Sequence, residues 1–600
     1  MENEQPVLRR PRPMMRATPR DMIAPRRSKA PHTRVVPGAK KAPPNASPLL
    51  RIIPLGGLEE IGRNTMCVEY GNDIVILDLG FMFPREDMPG IDYVLADTTY
   101  LQENRDKIRG IFITHGHMDH MGAIPYLVKR LGMPPVYGTR LTIGMVRDRL
   151  EEFNLSKVVK LVEVGADDVL QLGVFSLSFF RVNHNIPDSV GVAIKTPVGT
   201  IIDTGDWKFD HTPQDERPTE FGKLARLGQE GVLLLCSDST NSEKPGYSIS
   251  EKKLQETIEL LFSKAKGRII VTTFASLISR IQQVINASHE QGRKIAVTGM
   301  SMEKAITTAL DLGFLKVPKG VFVKLNTIDN YPPNKITILS TGSQGQESSA
   351  LGRMARGEHK QIKINETDTI VLSSSPIPGN ERSVAAVMDL LLGFGAKVVY
   401  NKLLDIHSSG HAQQEEQKLM LQLVQPKYFM PIHGERHHLV QHAETAMEMG
   451  YAKENVLVLA NGSVVEFNKH QDVRVLKEKL ELEDVLVDGL GVGDVGSVVL
   501  RDRQVMAQDG MMVIIAAVNR KTGKVTGNLD IISRGFIYVK NAEDLINEVK
   551  VMATKMIESY DVKEQQGWAN LRSQMRDDIG DHLFKRTERR PMILPVIMQV

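Results

Sequence analysis

The chain is poor in cysteine, in aromatic side chains and in long apolar runs. Its 600 residues include only two cysteines, Cys67 and Cys236, which excludes a disulfide scaffold and argues against a thiolate metal site. No stretch approaches the roughly 20 uninterrupted apolar residues of a membrane-spanning helix. The first residues also lack the apolar core of a secretory signal. These absences predict a protein of the reducing cytoplasm that makes no membrane contact.

Positive charge and proline are concentrated at the start of the chain. The first 48 residues hold eleven basic and three acidic residues, a net charge of +8, in a chain whose total is +3. They also hold ten prolines. We predict a disordered basic extension over residues 1–49. It could hold RNA or an acidic partner weakly, or be a solvated extension without a specific role, and an organelle transit peptide is a third interpretation.

Strand-like and helical patterns alternate from about Leu50 to the end of the chain. Before residue 245 the mixture predicts a layered α/β protein. From about 248 to 404 the alternation is more regular, which is typical of a parallel sheet covered by helices. The charged segment 477–484 reads as a linker, and a small α+β domain is predicted after it.

The densest group of potential metal ligands is the run His-Gly-His-Met-Asp-His at 115–120. It follows the apolar run 110–113, so we expect a buried strand that ends in a tight loop. Side chains on such a loop can converge on one point. Histidine suits zinc, and an aspartate can serve a second ion or bridge two ions. Because the whole chain has only 16 histidines, this density favours a metal site over an ordinary polar loop.

Three further metal-competent side chains each follow a predicted strand: His184, Asp206 and His433. Taken singly, a histidine in such a place is more often structural. Layered α/β folds nevertheless place their sites at strand ends. Together with the first loop these residues make seven ligands, which is enough for two ions that share Asp206.

The order of these motifs resembles the metallo-β-lactamase superfamily. Asp238 in Ser-Asp-Ser-Thr, His411 in His-Ser-Ser-Gly-His and His433 in Pro-Ile-His-Gly-Glu are similar to the extra motifs of its β-CASP nuclease branch. The runs at 373–380, 530–536 and 589–595 narrow the resemblance to the bacterial-type ribonuclease J family. It covers residues 50 to 600.

This resemblance implies an α/β fold of three parts. A metallo-β-lactamase αββα sandwich would occupy 50–245 and 405–470, interrupted by a parallel-sheet β-CASP domain at 246–404. A linker at 471–490 would lead to a small α+β C-terminal domain at 491–600, which resembles the family's dimerisation element.

The resemblance also implies roles for the candidate site residues. His115, His117 and His184 would hold one divalent ion; Asp119, His120 and His433 would hold the other, with Asp206 as the bridge. Zinc is favoured by the histidine-rich ligands, and manganese also fits. Asp78 and Asp238 would orient ligands by hydrogen bonds. His411 would contact the scissile phosphate and help to protonate the leaving 3′ oxygen.

Substrate contacts are expected in two places. The family binds a 5′ monophosphate partly through a Phe-Ala-Ser-Asn-hydrophobic-His run, which here reads Phe-Ala-Ser-Leu-Ile-Ser at 274–279. Ser276, Leu277 and Ile278 would line that pocket, but two polar side chains are lost, which weakens the expectation of 5′-monophosphate preference. His407, Ser408, Ser409 and Gly410 would line the phosphate path, although His407 could equally be structural. The turn at 341–345 is a second candidate phosphate cradle, or an ordinary turn.

These expectations lead to a two-metal ribonuclease with endonuclease and 5′-to-3′ exonuclease activity. It would act in mRNA decay and rRNA maturation as a homodimer or homotetramer, with other RNA-decay proteins or the ribosome as further partners. One alternative is a hydrolase of small esters or thioesters, which would need neither the inserted domain nor His411. Another is a non-catalytic RNA-binding subunit, which would not need every ligand position filled. A DNA substrate is disfavoured by family analogy alone.

Overall fold

A computed structural model describes residues 48–377, 379–401, 408–520, 522–538, 542–560 and 567–600. Nearly all of the predicted basic extension lies outside these residues, and so does His407. Elements are numbered in chain order.

Two mixed sheets face each other in the first and third parts of the chain. The first has eight strands in the order β21-β20-β1-β2-β3-β6-β7-β8, and the second has six in the order β19-β13-β12-β11-β10-β9. The first sheet contains β1 (Leu50–Gly56), β2 (Thr65–Tyr70), β3 (Asp73–Leu77), β6 (Ile108–Ile113), β7 (Val136–Gly138), β8 (Leu161–Glu163), β20 (Val465–Phe467) and β21 (Val473–Val475). The second contains β9 (Val169–Leu172), β10 (Phe175–Arg181), β11 (Val190–Lys195), β12 (Thr200–Asp203), β13 (Leu234–Asp238) and β19 (Tyr428–Ile432).

The apolar faces of these sheets form one core, in which Phe112 of β6 stacks on Phe179 of β10 with ring centroids 4.8 Å apart. Helices cover both outer faces. The first sheet is covered by α1 (Thr99–Glu103), α2 (Met118–Met121), α3 (Ile124–Leu127) and α4 (Arg140–Glu152), and the second by α5 (Phe221–Glu230), α11 (Gln414–Val424) and α12 (Arg436–Glu448). The predicted αββα sandwich is confirmed.

The middle of the chain folds as a parallel five-stranded sheet in the order β15-β16-β14-β17-β18. Its strands are β14 (Ile269–Thr272), β15 (Lys294–Thr298), β16 (Ile336–Ser340), β17 (Thr369–Leu372) and β18 (Lys397–Tyr400). The continuously buried, β-branched strands explain why both faces are covered by helices. Those helices are α6 (Glu251–Lys264), α7 (Ile278–Glu290), α8 (Met300–Asp311), α9 (Ala350–Ala355) and α10 (Glu381–Gly393). The expected inserted parallel-sheet unit is confirmed.

The segment predicted as a linker contains strands that pair with the rest of the molecule. β21 extends the first sheet, and β22 (Val485–Asp488) pairs with β5 (Tyr93–Leu95). A short sheet is completed by β4 (Phe81–Met82) and β23 (Gly491–Val492). The charged composition of 477–484 predicts an exposed linker. However, Leu480 and Leu482 within it, and Leu476 just before it, pack against the apolar core.

The C-terminal part has a core of its own. Three strands, β24 (Met511–Val518), β25 (Asp530–Arg534) and β26 (Met592–Gln599), lie in the order β25-β24-β26. They pack on α14 (Glu543–Glu558) and α15 (Gly567–Thr587), as expected for a small α+β domain. The apolar run near 497 forms helix α13 (Ser497–Asp509), which precedes the sheet. Among the described helices, none is long and apolar enough to cross a membrane.

Candidate metal centre

The predicted ligands meet because six strands of the sandwich end at the same edge. β10, β12, β13 and β19 run in one direction in the second sheet, and β3 and β6 run parallel in the first. The loops after them carry the candidate residues, so each side chain arrives from a different strand end. Two of these residues, Asp78 and His433, have left-handed backbone conformations with φ of 58° and 52°. Such strained positions are typical of functional loops.

The first group of ligand atoms consists of three imidazole nitrogens and a carboxylate oxygen. Nδ1 of His117 lies 3.1 Å from Nε2 of His115 and 3.1 Å from Nε2 of His184. Oδ2 of Asp206 lies 3.7 Å from each of those two Nε2 atoms. The four atoms therefore surround a single point, in a set that suits a tetrahedral zinc ion.

The second group shares Asp206 through its other oxygen. Oδ1 of Asp206 lies 3.3 Å from Nε2 of His120 and 3.7 Å from Nε2 of His433. Oδ2 of Asp119 lies 3.6 and 3.4 Å from the same two nitrogens. The two oxygens of Asp206 therefore face different groups of ligand atoms.

Hydrogen bonds outside the ligand groups orient four of the five rings. Nδ1–H of His184 donates to the carbonyl of Gly410 (2.7 Å), and Nδ1–H of His120 donates to Asp78 (2.7 Å). Nδ1–H of His433 donates to Thr240 (2.7 Å), whose own hydroxyl proton goes to Asp238 (2.7 Å). Nδ1–H of His115 donates to Thr114 (3.1 Å), whose hydroxyl donates to Asp78.

In the neutral form of each of these rings, Nε2 is the unprotonated nitrogen, and its lone pair faces the other ligand atoms. Several lone pairs and two carboxylates at such distances repel one another unless a cation lies among them. The residues present therefore fit divalent metal ions.

The pKa values of the rings divide in the same way. Burial lowers the pKa of His115 and His184 well below the usual value, and that of His117 to about 4. These rings are neutral at physiological pH, as metal ligands must be. For His120 and His433 burial also acts downwards, but Asp206 and the other carboxylates beside each ring together outweigh it and raise the pKa of both histidines well above normal. The raised pKa shows that the carboxylates stabilise a positive charge at these two positions.

His411 lies beside both groups, with its ring centroid 5.1 Å from that of His184 and 5.4 Å from that of His433, and it is held by Asp238. Its Nδ1–H donates to Oδ2 of Asp238 (2.7 Å), and its ring lies parallel to that of His433 with centroids 5.4 Å apart. Burial tends to raise the pKa of Asp238, but His411 and His433 lower it strongly, so the carboxylate is ionised. The ionised Asp238 therefore fixes the orientation of the His411 ring through its Nδ1–H.

The segment 408–412 contacts the loops that carry His184, Asp206 and Asp238. Ser408 lies near Lys208, Ser409 accepts from Asn185 and Asn241, and Gly410 accepts from His184. The backbone N–H of Ala412 donates to Trp207 (2.7 Å). A Cβ on Gly410, whose φ is 84°, would come within 2.7 Å of the His184 ring.

The backbone N–H groups of Ser409, Gly410 and His411 donate to no group among the described residues.

The predicted phosphate pocket is more closed than expected. Ser276 is half-buried, but the side chains of Leu277 and Ile278 are fully buried. Their backbone N–H groups donate within the turn, to Phe274 and Ser276, so they are already used. Ser279 lines a small cavity together with His184. Any contact of Leu277 or Ile278 with RNA would therefore require this turn to open.

Several positioning residues escaped the sequence analysis. Thr240 and Asn241 come two and three residues after Asp238, and Asn241 donates to both Ser409 and the carbonyl of His411 (2.9 Å). Their place in a Ser-Thr-Asn run after a strand was the available signal. A further group, Glu243, His437 and His438, is largely exposed, and Nδ1 of His438 accepts the backbone N–H of Glu435 (3.2 Å). That bond leaves His438 no inward lone pair for a metal.

Comparisons with known proteins agree with the fold. Family models match in succession along the chain: "Beta-lactamase superfamily domain" at 78–269, "Ribonuclease J, beta-CASP domain" at 266–391, "Zn-dependent metallo-hydrolase RNA specificity domain" at 396–459 and "Ribonuclease J C-terminal domain" at 498–600.

Ribonuclease J2 of Bacillus subtilis is 40% identical over 551 residues, which cover 92% of this chain and 99% of that protein. Ribonuclease J 1 of Streptococcus pyogenes is 41% identical over 547 residues, which cover 91% and 97%. A crystal structure of an Enterococcus faecalis protein of unknown function shares the fold, with a TM-score of 0.51 and 15% identity over 70% of this chain. On the identity and coverage of the two relatives, the chain belongs to the ribonuclease J family.

Proposed function

We propose that the protein is a metal-dependent ribonuclease that hydrolyses RNA phosphodiester bonds and leaves 5′-phosphate ends. One observation carries the proposal: two groups of ligand atoms share Asp206, and His411 lies over them in contact with Asp238. A small-molecule hydrolase would need the metal ligands but not a separate proton donor for a poor leaving group. The names of the relatives supply RNA as the substrate.

Two divalent ions, zinc by preference or manganese, would supply a nucleophile from water at neutral pH and positive charge for the phosphorane-like transition state. His115, His117 and His184 would hold one ion, and Asp119, His120 and His433 the other, with Asp206 between them. The chain's own groups do the rest. The N–H groups of 409–411 would orient the scissile phosphate, and His411 would give its proton to the 3′ oxygen as the P–O bond breaks.

We further propose both endonuclease and 5′-to-3′ exonuclease modes, in mRNA decay and rRNA maturation. Part of the inserted domain lies beside the site, since Ser279 of α7 lines the same small cavity as His184. The altered run at 274–279 argues against strong dependence on a 5′ monophosphate, since Leu277 and Ile278 offer neither polar side chains nor unused N–H groups.

The protein is proposed to act in the cytoplasm as a homodimer or homotetramer, with RNA-decay proteins or the ribosome as further partners. Two buried, unpaired cysteines support the reducing compartment. An apolar outer face on the C-terminal sheet supports the assembly.

Digestion of one RNA with a 5′ monophosphate and of the same RNA with a 5′ triphosphate tests the proposal. Each is incubated with the protein in added Zn²⁺ or Mn²⁺, and in chelator. We expect cleavage with metal, none with chelator, and products that a 5′-phosphate-dependent ligase can join. Inertness of both RNAs with either metal would contradict the proposal. Under that outcome, hydrolysis of small esters or thioesters would support a small-molecule hydrolase, and RNA binding alone would support a non-catalytic subunit.

A further inference from the structure

Lys208 is a fully buried cation that nothing above assigns to the reaction. It follows the bridging ligand Asp206 by two residues, and its side chain is wholly inaccessible to solvent. Nζ donates to Oε1 of Glu251 (3.0 Å) and to the carbonyl of Ile249 (3.1 Å), and it lies 3.4 Å from Oδ2 of Asp210. A buried ammonium group is costly unless paired, and here two carboxylates pair with it.

The contacts of Lys208 join three separate segments. Ile249 and Glu251 belong to the crossover that enters the inserted domain at the start of α6. Ser408, whose Oγ lies 3.4 Å from Nζ, belongs to the returning crossover that carries His411. The backbone N–H of Lys208 itself donates to Asn183, the neighbour of the ligand His184 (2.8 Å).

A second buried acidic residue, Glu416, also joins these segments. The carboxylate of Glu416 accepts from the backbone N–H groups of Phe209, Ser248 and Gln413, at 2.7 to 2.9 Å. Glu251 is also tied to the inserted domain, since it accepts from Gln283 of α7 (2.9 Å). Both crossovers are thus bound to the loop after Asp206 through ionic side chains, and the attachment includes the helix that follows the predicted phosphate pocket.

We propose that Lys208 is a positioning residue for RNA cleavage, which links the inserted domain to the segment that carries His411. The inference rests on the proposed function. In the reaction, the oxygen of a water molecule that has released one proton to the solvent bonds to phosphorus, and the bond from phosphorus to the 3′ oxygen breaks. His411 supplies a proton to that oxygen and regains one from the solvent. Lys208 touches no reacting atom. It holds Ser408 and the two crossovers so that His411 meets the leaving oxygen when RNA lies against the inserted domain.

The alternative is that Lys208 only stabilises the fold, and the leaving group separates the two roles. An RNA with sulfur in place of the bridging 3′ oxygen at one linkage has a leaving group that needs no proton. Loss of proton delivery slows cleavage of the oxygen linkage while sparing the sulfur linkage. General loss of structure or metal slows both alike.

The variants are chosen to keep the protein folded. Lys208→Met removes the charge at similar length, and Lys208→Met with Glu251→Gln also removes one of the two carboxylates that pair with Lys208. Lys208→Arg keeps the charge beside a small cavity that Lys208, Glu251 and Ser279 line. Lys223→Met is the control, because Lys223 is a paired but partly exposed lysine of α5.

Single-turnover rates at saturating RNA are measured for both linkages, with metal content and melting temperature for every variant. We expect both Met variants to keep their metal and to cleave the oxygen linkage about 10- to 100-fold more slowly, as misplacement of a catalytic group by about 1 Å does. Cleavage of the sulfur linkage should stay near wild type, and Lys208→Arg should restore the oxygen linkage.

Parallel loss on both linkages, or failure of both Met variants to fold with metal, would assign Lys208 a structural role and overturn the inference. No loss on either linkage would overturn it too, because cleavage would then not need Lys208. Failure of the wild-type protein to cleave either RNA would instead refute the proposed ribonuclease function.

Discussion

The histidines of the metal centre depend on residues that cannot bind metal themselves. Thr240 shows this best, because its hydroxyl donates to Asp238 and accepts from Nδ1–H of His433. Asp238 in turn holds His411. One hydroxyl therefore orients a metal ligand and, through Asp238, the proposed proton donor.

Replacing Thr240 by valine should weaken the second metal position. The methyl group fills the same volume but leaves Nδ1–H of His433 without an acceptor, so the ring loses its orientation. We expect metal affinity at this position to fall about 10- to 100-fold, the range for loss of such outer partners. Titration of metal-free protein with Zn²⁺, followed by calorimetry, measures it. Thr240→Ser keeps the hydroxyl and should bind as the wild type does; equal affinity in the valine variant would contradict the role.

His411→Ala should abolish RNA cleavage without loss of metal, because His411 is not among the seven proposed ligands. Removal of a general acid costs about 100- to 10,000-fold in rate. The measurement is single-turnover cleavage together with metal content by mass spectrometry. Sulfur substitution at the 3′ bridging position should recover much of the lost rate. Loss of metal in this variant would show that His411 is a ligand, and no recovery with sulfur would exclude proton donation.

At the scale of elements, the sequence predicts where the strands end but not which distant residues form hydrogen bonds with the loops that follow them. An apolar run followed by His or Asp is visible in sequence, so β6, β10, β12 and β19 and their ligands could be anticipated. The partners of 408–412 lie some 170 to 230 residues away, at Asn185, Asn241 and Trp207. Those contacts depend on the order of strands in the second sheet, which local patterns do not encode. The two strands in 471–490 were not predicted either, because they pair with the separate strands β20 and β5.

The start of α7 leads to a prediction about the RNA 5′ end. The turn at 274–279 buries Leu277 and Ile278 and uses their N–H groups internally, so it offers a phosphate few donors. A site that offers few hydrogen-bond donors to a 5′ phosphate discriminates weakly between different 5′ ends. We expect initial rates on 5′-monophosphate and 5′-triphosphate RNA to agree within about threefold.

The matched variant is Ser279→His, which restores one polar side chain of the family run at a residue that lines a cavity. It should raise the rate ratio in favour of the monophosphate. A strong monophosphate preference in the wild-type protein would show that the pocket is formed by other residues or opens on binding.

At the scale of the whole molecule, the C-terminal sheet has two unlike faces. One face packs on α14 and α15 through alternate residues such as Met512, Ile514 and Ile593. The opposite face presents Leu594, Val596 and Met598 of β26, which are 41%, 41% and 48% exposed. Val513 and Ile515 of β24 are paired beside the first two of these. Successive strand residues alternate between faces, so these side chains form a continuous apolar surface, as at protein interfaces.

We therefore expect this face to carry the proposed assembly of subunits. Leu594→Lys with Val596→Lys places two charges where apolar side chains would be buried, so the oligomer should dissociate to smaller species. Light scattering after size-exclusion chromatography, at equal protein concentrations, measures the mass. Metal content should be unchanged, because every proposed ligand lies in the sandwich. Val551→Lys is the control, since Val551 is a 70% exposed residue of α14 in the same domain. An unchanged oligomer in the double variant would place the interface elsewhere, and a monomeric wild-type protein would contradict the assembly itself.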